Sequence, residues 1–412
     1  PYLSERGGVV LSTTIDRYVQ GGLRPEATGE VRIYSLEHES SRRPGRHGPV
    51  SRGFREELVA AVMRRLGLHP PAFSLFLASE APPGSGLGSS SALVVAVLGL
   101  FRQWQGLPIA NETLAELAYE IERHELGLPG GKQDQYAATF GGFNRLEFTR
   151  EGTFVIPLNL SPATVNELHS SLLLCYIGRR PHRGEKIWEK QMAAYGRRDS
   201  MTYAALDTLK SITYAMEHAL YDGRLMAFGE LLHEAWLAKQ KLAPGIATER
   251  VDRLYELARR KGALGGKILG AGGGGHLLLM CPFTKKNRVA AALAEALANA
   301  YDIVQVEGIE MAPYLFQVAG EERRPRLVFD EHNAEHALQR RIFQTDLRSP
   351  RRWVGALYSL LQWRRLVGYE TQACAAADAV VAVSEQDAAA LRRLRHGTTI
   401  TVVPNGIDTS RY

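Results

Sequence analysis

Apolar and polar positions alternate along "FSLFLASEAP" (Phe73 to Pro82). After a glycine-rich stretch they give way to the nearly continuous apolar run "SSALVVAVLGLF" (Ser90 to Phe101). The first pattern predicts a strand and the second a buried helix. Two flanking segments, "SRGFREELVAAVMRRLGL" and "NETLAELAYEIERHELGL", space their apolar residues as amphipathic helices, the second with Asn111 as its N-cap. The opening "PYLSERGGVVLSTTIDRYVQGGL" reads as a helix end, a Gly-Gly turn and one long strand. Arg197 to Leu242 predicts a helical hairpin broken at Asp222-Gly223, and "ERVDRLYELARRKGA" predicts one more helix. Helices and strands mix throughout without internal repeats, so the expected class is α/β or α+β.

Composition narrows this picture only in part. A chain of 412 residues, 45% hydrophobic and 23% charged, is globular and long enough for two or more domains. Its three cysteines, Cys175, Cys281 and Cys374, are far apart and form no CxxC pair, which excludes a disulfide framework or zinc site and fits a reducing cytoplasm. No segment predicts a membrane span or a signal peptide, so a cytoplasmic protein without a membrane partner is expected. The net charge of +6 is uneven. From Arg323 onward there are 14 Arg, no Lys and 9 acidic residues (+5), while the preceding 36 basic and 35 acidic residues nearly cancel. The shift predicts a separate module after the polar "VAGEERRPR" (Val318 to Arg326). Its arginines are scattered among acids, as on a solvated surface rather than a nucleic-acid site.

The chemistry begins between the strand and the helix, at "PPGSGLGSSSA". Strand, glycine turn and helix N-terminus together make an anion cradle, because free backbone N–H groups and the positive end of the helix dipole converge there. No Lys follows Gly88, which excludes a Walker A loop, and Ser89 replaces the third glycine of a dinucleotide fingerprint. A serine hydroxyl in the first helical turn can instead ligate Mg²⁺. Downstream, "LPGGKQDQYAATFGGFNRLEF" delivers Lys132, Gln133 and Asp134 from a Gly-Gly turn to a short helix. Asp134 is placed to accept or orient a hydroxyl proton, or simply to finish the turn, while Lys132 is a phosphate contact or a solvated turn lysine. "GGKILGAGGGGHLLLMC" contains a formal GxGxxG, but a strand rather than a helix follows it, so it reads as a loop that closes over a ligand held elsewhere.

These three stretches, in this order, resemble the three-part signature of the GHMP sugar and mevalonate kinases. Within that superfamily, "GGVVLSTTIDRYV", "GGKQDQYAATFGGFN", "LLHEAWLAKQKL" and "LYELARRKGALGGKILGAGGGG" are most similar to heptose 7-phosphate kinases, over residues 1 to about 315. The resemblance implies an N-terminal α/β domain (1–155), whose front segment is missing, and a ferredoxin-like C-terminal domain (156–320). It implies ATP- and Mg²⁺-dependent phosphorylation of an anomeric hydroxyl, turning D-glycero-D-manno-heptose 7-phosphate into the 1,7-bisphosphate. By the same resemblance, Pro83, Gly84, Gly86, Leu87, Gly88, Ser89, Ser90, Gly272, Gly273 and Gly274 bind the nucleotide. Ser90 and Glu122 hold the metal, and Asp134 is catalytic. Glu122 lies twelve positions before Asp134, about one more than mevalonate kinases place between theirs, and Glu120 and Glu125 compete for its role. Family members open with a strand and a GGGTD-like sugar segment that would precede Pro1. "YIGRRPHRGEK" (Tyr176 to Lys186) replaces the small hydroxyl-rich segment expected near the sugar.

After this, "RLVFDEHNAEHALQRR", "YETQACAAADAVVAVSEQDAAALRRL" and "TITVVPNGIDTSRY" alternate strand and helix, with Ser384 and Asp387 as a capping box. They resemble part of the acceptor-side, Rossmann-like domain of retaining GT-B glycosyltransferases, expected over 325–412, with His332 at a loop-histidine position. This module is expected to lack both a nucleotide-sugar site and a stable core of its own. Three other functions stand beside heptose-phosphate phosphorylation: another sugar 1-kinase of fucokinase type, a non-catalytic sugar or ATP sensor, and a glycosyltransferase.

Overall fold

The computed structural model describes residues 5–26, 31–35, 53–68, 72–81, 84–178, 184–298, 301–320, 324–331, 333–348, 352–394 and 399–403. Two compact units divide the chain, Pro1–Lys286 and Asn287–Tyr412.

The first unit begins with strands β1 (Gly8–Thr13) and β2 (Val19–Pro25). One long strand was expected here. The chain turns instead around Asp16, and the two halves join different sheets, β1 pairing with Phe143–Phe148 and β2 with Phe73–Ser79. Next come β3 (Arg32–Ser35), helix α1 (Phe54–Arg65), β4 (Phe73–Ser79) and α2 (Ser89–Trp104). Alternation along β4 turns Phe73, Leu75 and Leu77 inward. The α2 stripe Leu93, Val94, Val97, Leu98 and Phe101 joins them, with Leu58, Val62 and Leu114, in one core. That packing fixes the start of α2 over the end of β4.

Helix α3 (Asn111–Glu120) runs into a π-helical turn, Ile121–Glu125, before α4 (Gln133–Phe140), β5 (Phe143–Phe148) and β6 (Thr153–Pro157). Asn111 is not the cap of α3. Ala110 holds that position, and the Asn111 side chain instead accepts a 2.9 Å hydrogen bond from Arg102 Nη1.

The rest of the unit contains α5 (Pro162–Ser171), β7 (Leu172–Tyr176), α6 (Gly184–Gly196), α7 (Ser200–Tyr221), α8 (Leu225–Gln240), α9 (Glu249–Lys261), β8 (Gly265–Ile268) and β9 (His276–Met280). The α7–α8 hairpin breaks at Asp222-Gly223 as expected and shares a core with Met280. The sheet order is β7-β9-β8, antiparallel, three strands among the described residues, and helix α10 (Phe283–Ala298) follows.

The expected boundary near Val318–Arg326 is not where the chain divides. Strand β10 (Ile303–Glu307) and helix α11 (Ala312–Ala319) belong to the second unit, and β10 pairs in parallel with β11 (Arg326–Glu331). The polar stretch between them is a crossover connection. Its Arg324 donates to both Asp378 oxygens at 2.6 and 3.0 Å, and Leu327 N–H reaches the same carboxylate at 2.7 Å. Helices α12 (Glu335–Leu347) and α13 (Trp353–Ala376), β12 (Ala379–Ala382), α14 (Glu385–Leu394) and β13 (Ile400–Val402) complete a parallel sheet of order β10-β11-β12-β13. Leu315, Leu327, Phe329, Ala373, Val380 and Leu391 form its core, which residues 325–412 share with Val306, Ala312, Leu315 and Val318 from before that stretch. Ser384 caps α14 through Asp387 N–H (3.1 Å), as its sequence predicts. His332 and the "PNGID" turn lie outside the described residues.

Candidate active site

The glycine loop is built for close approach. Gly84, Gly86 and Gly88 all have φ between 75° and 82°, a left-handed conformation that side chains resist. Gly88 is the N-cap of α2 and offers no side chain, so the first-turn N–H groups have no intrahelical acceptor and point out of the helix end. Pro83 lies outside the described residues; Gly84 through Ser90 lie within them.

Glu122 sits beneath this helix start, with no exposed surface, and four partners hold it. Ser90 Oγ donates to Oε1 at 2.7 Å, Ser91 Oγ to Oε2 at 2.7 Å, and Gln135 Nε2 to Oε2 at 2.6 Å, while Arg123 Nη1 stands 3.2 Å from Oε1. The two competing acids are spent elsewhere, Glu120 on Arg65 and Glu125 on Arg64. A π turn accommodates one residue more than an α turn, and here Leu126 N–H bonds back five positions to Ile121 O.

Arg123 ties this turn to the loop that delivers Asp134. Its Nε donates to Gly131 O at 3.2 Å, and its guanidinium fills the space a Cβ on Gly130 would take. Asp134, in the first turn of α4, lies against Gly88, where an added Cβ would meet the Asp134 Cβ at 3.4 Å. Lys132 is not free for a phosphate. It pairs with Glu116 at 2.5 Å and lies over the Tyr119 ring, and Tyr136 OH donates to the same Glu116. Burial first, then that carboxylate, pushes the Tyr136 hydroxyl up to about 12, so it stays a donor.

The late glycine loop joins β8 to β9, the strand–loop–strand arrangement its sequence predicts. Gly272 and Gly273 stand against Ile246: Gly273 N–H donates to Ile246 O at 2.9 Å, and a Cβ on Gly272 would lie 2.8 Å from the Ile246 Cα. Gly274 lies in the same turn with φ 154°. The next residue but one ties this loop to the first. His276 reaches Ser85 O through its backbone N–H (3.1 Å) and Nδ1 (3.0 Å), which puts a proton on Nδ1.

The structure therefore gathers Gly84–Ser90, Glu122 and Asp134 and anchors the 270–275 loop beside them. Sequence reasoning missed Ser91, Arg123, Gln135 and His276. Ser91, Arg123 and Gln135 each adjoin a residue it had singled out, His276 lies two past Gly274, and the polar Ser91 on the apolar face of α2 was the visible signal.

Comparisons with known proteins bear on the family of the chain. The GHMP kinases N terminal domain family matches residues 54–142, and the Glycosyltransferase Family 4 family matches residues 237–411. The D-glycero-alpha-D-manno-heptose 7-phosphate kinase of Campylobacter jejuni is 33% identical over 299 residues, 71% of this chain and 87% of that protein. The solved structure of a D-glycero-D-manno-heptose 1-phosphate kinase from Bacteriodes thetaiotaomicron, 30% identical, superimposes with a TM-score of 0.56 over 71% of this chain and 86% of its own. Lactococcus lactis galactokinase, at 19% identity and a TM-score of 0.57 over 71% of this chain and 85% of its own, shares the fold. Sequence identity over most of a relative's length and the three converging motif segments lead to one assignment: this chain belongs to the GHMP kinases.

Proposed function

We propose that the first unit transfers the γ-phosphoryl group of ATP to the anomeric hydroxyl of D-glycero-D-manno-heptose 7-phosphate, giving the 1,7-bisphosphate. The observation that carries this reading is the convergence of the Gly84–Ser90 loop, Glu122 and Asp134 in a chain 33% identical to a heptose 7-phosphate kinase.

The residues present fit ATP with Mg²⁺. The α2 N-terminus and the left-handed glycines suit a polyphosphate, whose charge is stabilised by backbone N–H groups and the helix dipole. Ser90 Oγ and Glu122 supply the hard oxygen donors that Mg²⁺ takes, leaving its other positions to water and phosphate. Gln135 Oε1 is buried beside them without a hydrogen-bond partner, an acceptor left for a donor from ligand or water. When bound, Mg²⁺ supplies charge neutralisation on the phosphates. Among the chain's own groups, Asp134 receives or orients the proton of the attacking hydroxyl, and Arg123 holds the turn that presents it. The His276–Ser85 link keeps the two glycine loops in register.

The test is a substrate panel with ATP and Mg²⁺, containing heptose 7-phosphate, fucose and mevalonate, with the product read by phosphorus NMR. A new anomeric phosphate on the heptose supports the reading, and Asp134→Asn should then slow turnover ~10²–10⁴-fold with ATP affinity unchanged. Preference for fucose or mevalonate overturns the substrate, and ATP binding without transfer to any acceptor favours a sensor.

For the second unit, its four parallel strands and the Glycosyltransferase Family 4 match support a part of a glycosyltransferase acceptor-side domain. Calorimetry with nucleotide sugars tests whether it has a donor site: saturable, salt-resistant binding requiring residues 325–412 would give it one.

A further inference from the structure

One side of helix α13 carries apolar side chains that the core of the second unit does not cover. In the first three turns of α13, Trp353, Val354, Leu357, Tyr358 and Leu361 are all exposed, Val354 at 88% and the others between 52% and 63%. At 100° per residue these five fall on one side of the helix, opposite the buried Ala356 and Ser359. Arg364 and Arg365 continue the same side one turn further on, and both are exposed.

The charge around this face has one sign. Arg364 and Arg365 are exposed on this side, and the only acid between Leu338 and Tyr369 is Asp346. That carboxylate is mostly buried, 3.6 Å from Arg352 and accepting from Ser359 Oγ at 3.3 Å. Two needs therefore have to be met together: removal of aliphatic and aromatic surface from water, and an anionic neighbour for the arginines.

We propose that this face is a docking surface for an anionic lipid bilayer, with the apolar start of α13 entering the headgroup boundary and the arginines meeting lipid phosphates. A second copy of the chain, packed face to face, would cover the apolar residues but set arginine against arginine. Nucleic acid would satisfy the arginines and leave Val354, Leu357 and Leu361 without apolar cover. No helix among the described residues is long and apolar enough to cross a membrane. The absence of a spanning segment was the reason for expecting no membrane partner, and lying on a bilayer requires none.

The experiment is flotation of the full chain with phosphatidylcholine vesicles, with and without phosphatidylglycerol, at rising salt. Binding should require the anionic lipid and weaken with salt, since exposed charges are screened beyond ~10 Å at 0.1 M. Arg364→Ser with Arg365→Ser should lower partitioning roughly tenfold, and Val354→Ser with Leu357→Ser by a similar factor, with circular dichroism and melting unchanged. As a second readout, lipid-borne bromine should quench the fluorescence that Trp353→Phe removes. Equal binding to neutral vesicles, no binding, or binding indifferent to both double substitutions overturns the proposal. So does a vesicle-independent dimer abolished by the same substitutions, or RNA binding that depends on the arginines alone.

Discussion

The Ser90 hydroxyl donates a 2.7 Å hydrogen bond to Glu122 across 32 positions of sequence, joining the start of α2 to the π turn. If this pair holds the metal, Ser90→Ala and Glu122→Gln should each raise the Mg²⁺ concentration needed for half-maximal activity, since each removes or weakens an oxygen donor. Glu122→Ala should also cost ~1–3 kcal/mol of stability, because the buried Ser91 and Gln135 lose their acceptor. A metal titration of the three variants checks this. If Glu122→Gln leaves the titration unmoved while Glu120→Gln or Glu125→Gln shifts it, the metal site is elsewhere.

Arg123 should matter for turnover more than for nucleotide binding. Its side chain is 11% exposed and spans Glu122 and the Gly131 carbonyl. Arg123→Ala leaves the Glu122 charge with its hydrogen-bond donors but without its cation, a loss of about 3 kcal/mol, and it frees the turn that carries Asp134. Kinetics should show kcat falling while KM for ATP holds. Arg123→Lys keeps the charge without the fork and should recover only part of the rate.

The second unit should lose stability with rising pH. Glu331, 1% exposed, has its carboxyl pushed up to about 9 by burial first and then by Glu370, Glu335, Glu310 and Asp330. Between the ordinary 4.5 and about 9 the folded unit keeps a proton that the unfolded chain releases, so stability falls as pH rises through that window. Glu331→Gln removes the penalty and should stabilise the unit by about 2–4 kcal/mol at the alkaline end, with little effect near pH 5. Denaturant melts across that range would show parallel curves if Glu331 ionised normally in the fold.

Truncation should reveal where the units divide. Cutting after Gly320 leaves β10 and α11 without β11, exposing Val306, Leu315 and Val318. Buried side chains of this size contribute ~1.5–3 kcal/mol each, so this fragment should bind apolar dyes and aggregate. Cutting after Ala298 removes those residues and should give a soluble fragment that ATP still stabilises. Equal solubility of the two would place the boundary after Gly320.

What the sequence alone determined is what short-range physics encodes. Alternation along Phe73–Ser79, the helical stripe of Ser89–Trp104 and left-handed glycines between them specify strand, loop and helix without help from distant residues. The break at Asp222-Gly223 and the Ser384 cap are local in the same sense. Tertiary structure decided every choice between equivalent neighbours. Glu120, Glu122 and Glu125 lie within two turns, and only packing against Ser90, Ser91 and Gln135 selects Glu122. Lys132 is claimed by Glu116, sixteen positions away. The opening strand is split because its halves find partners in two sheets. The second unit begins before Ile303 because β10 pairs with a strand beyond a polar crossover that, read locally, looks like a linker. Period and turn chemistry act over a few residues, whereas strand partners and buried acceptors are settled between segments that meet only once the chain has folded.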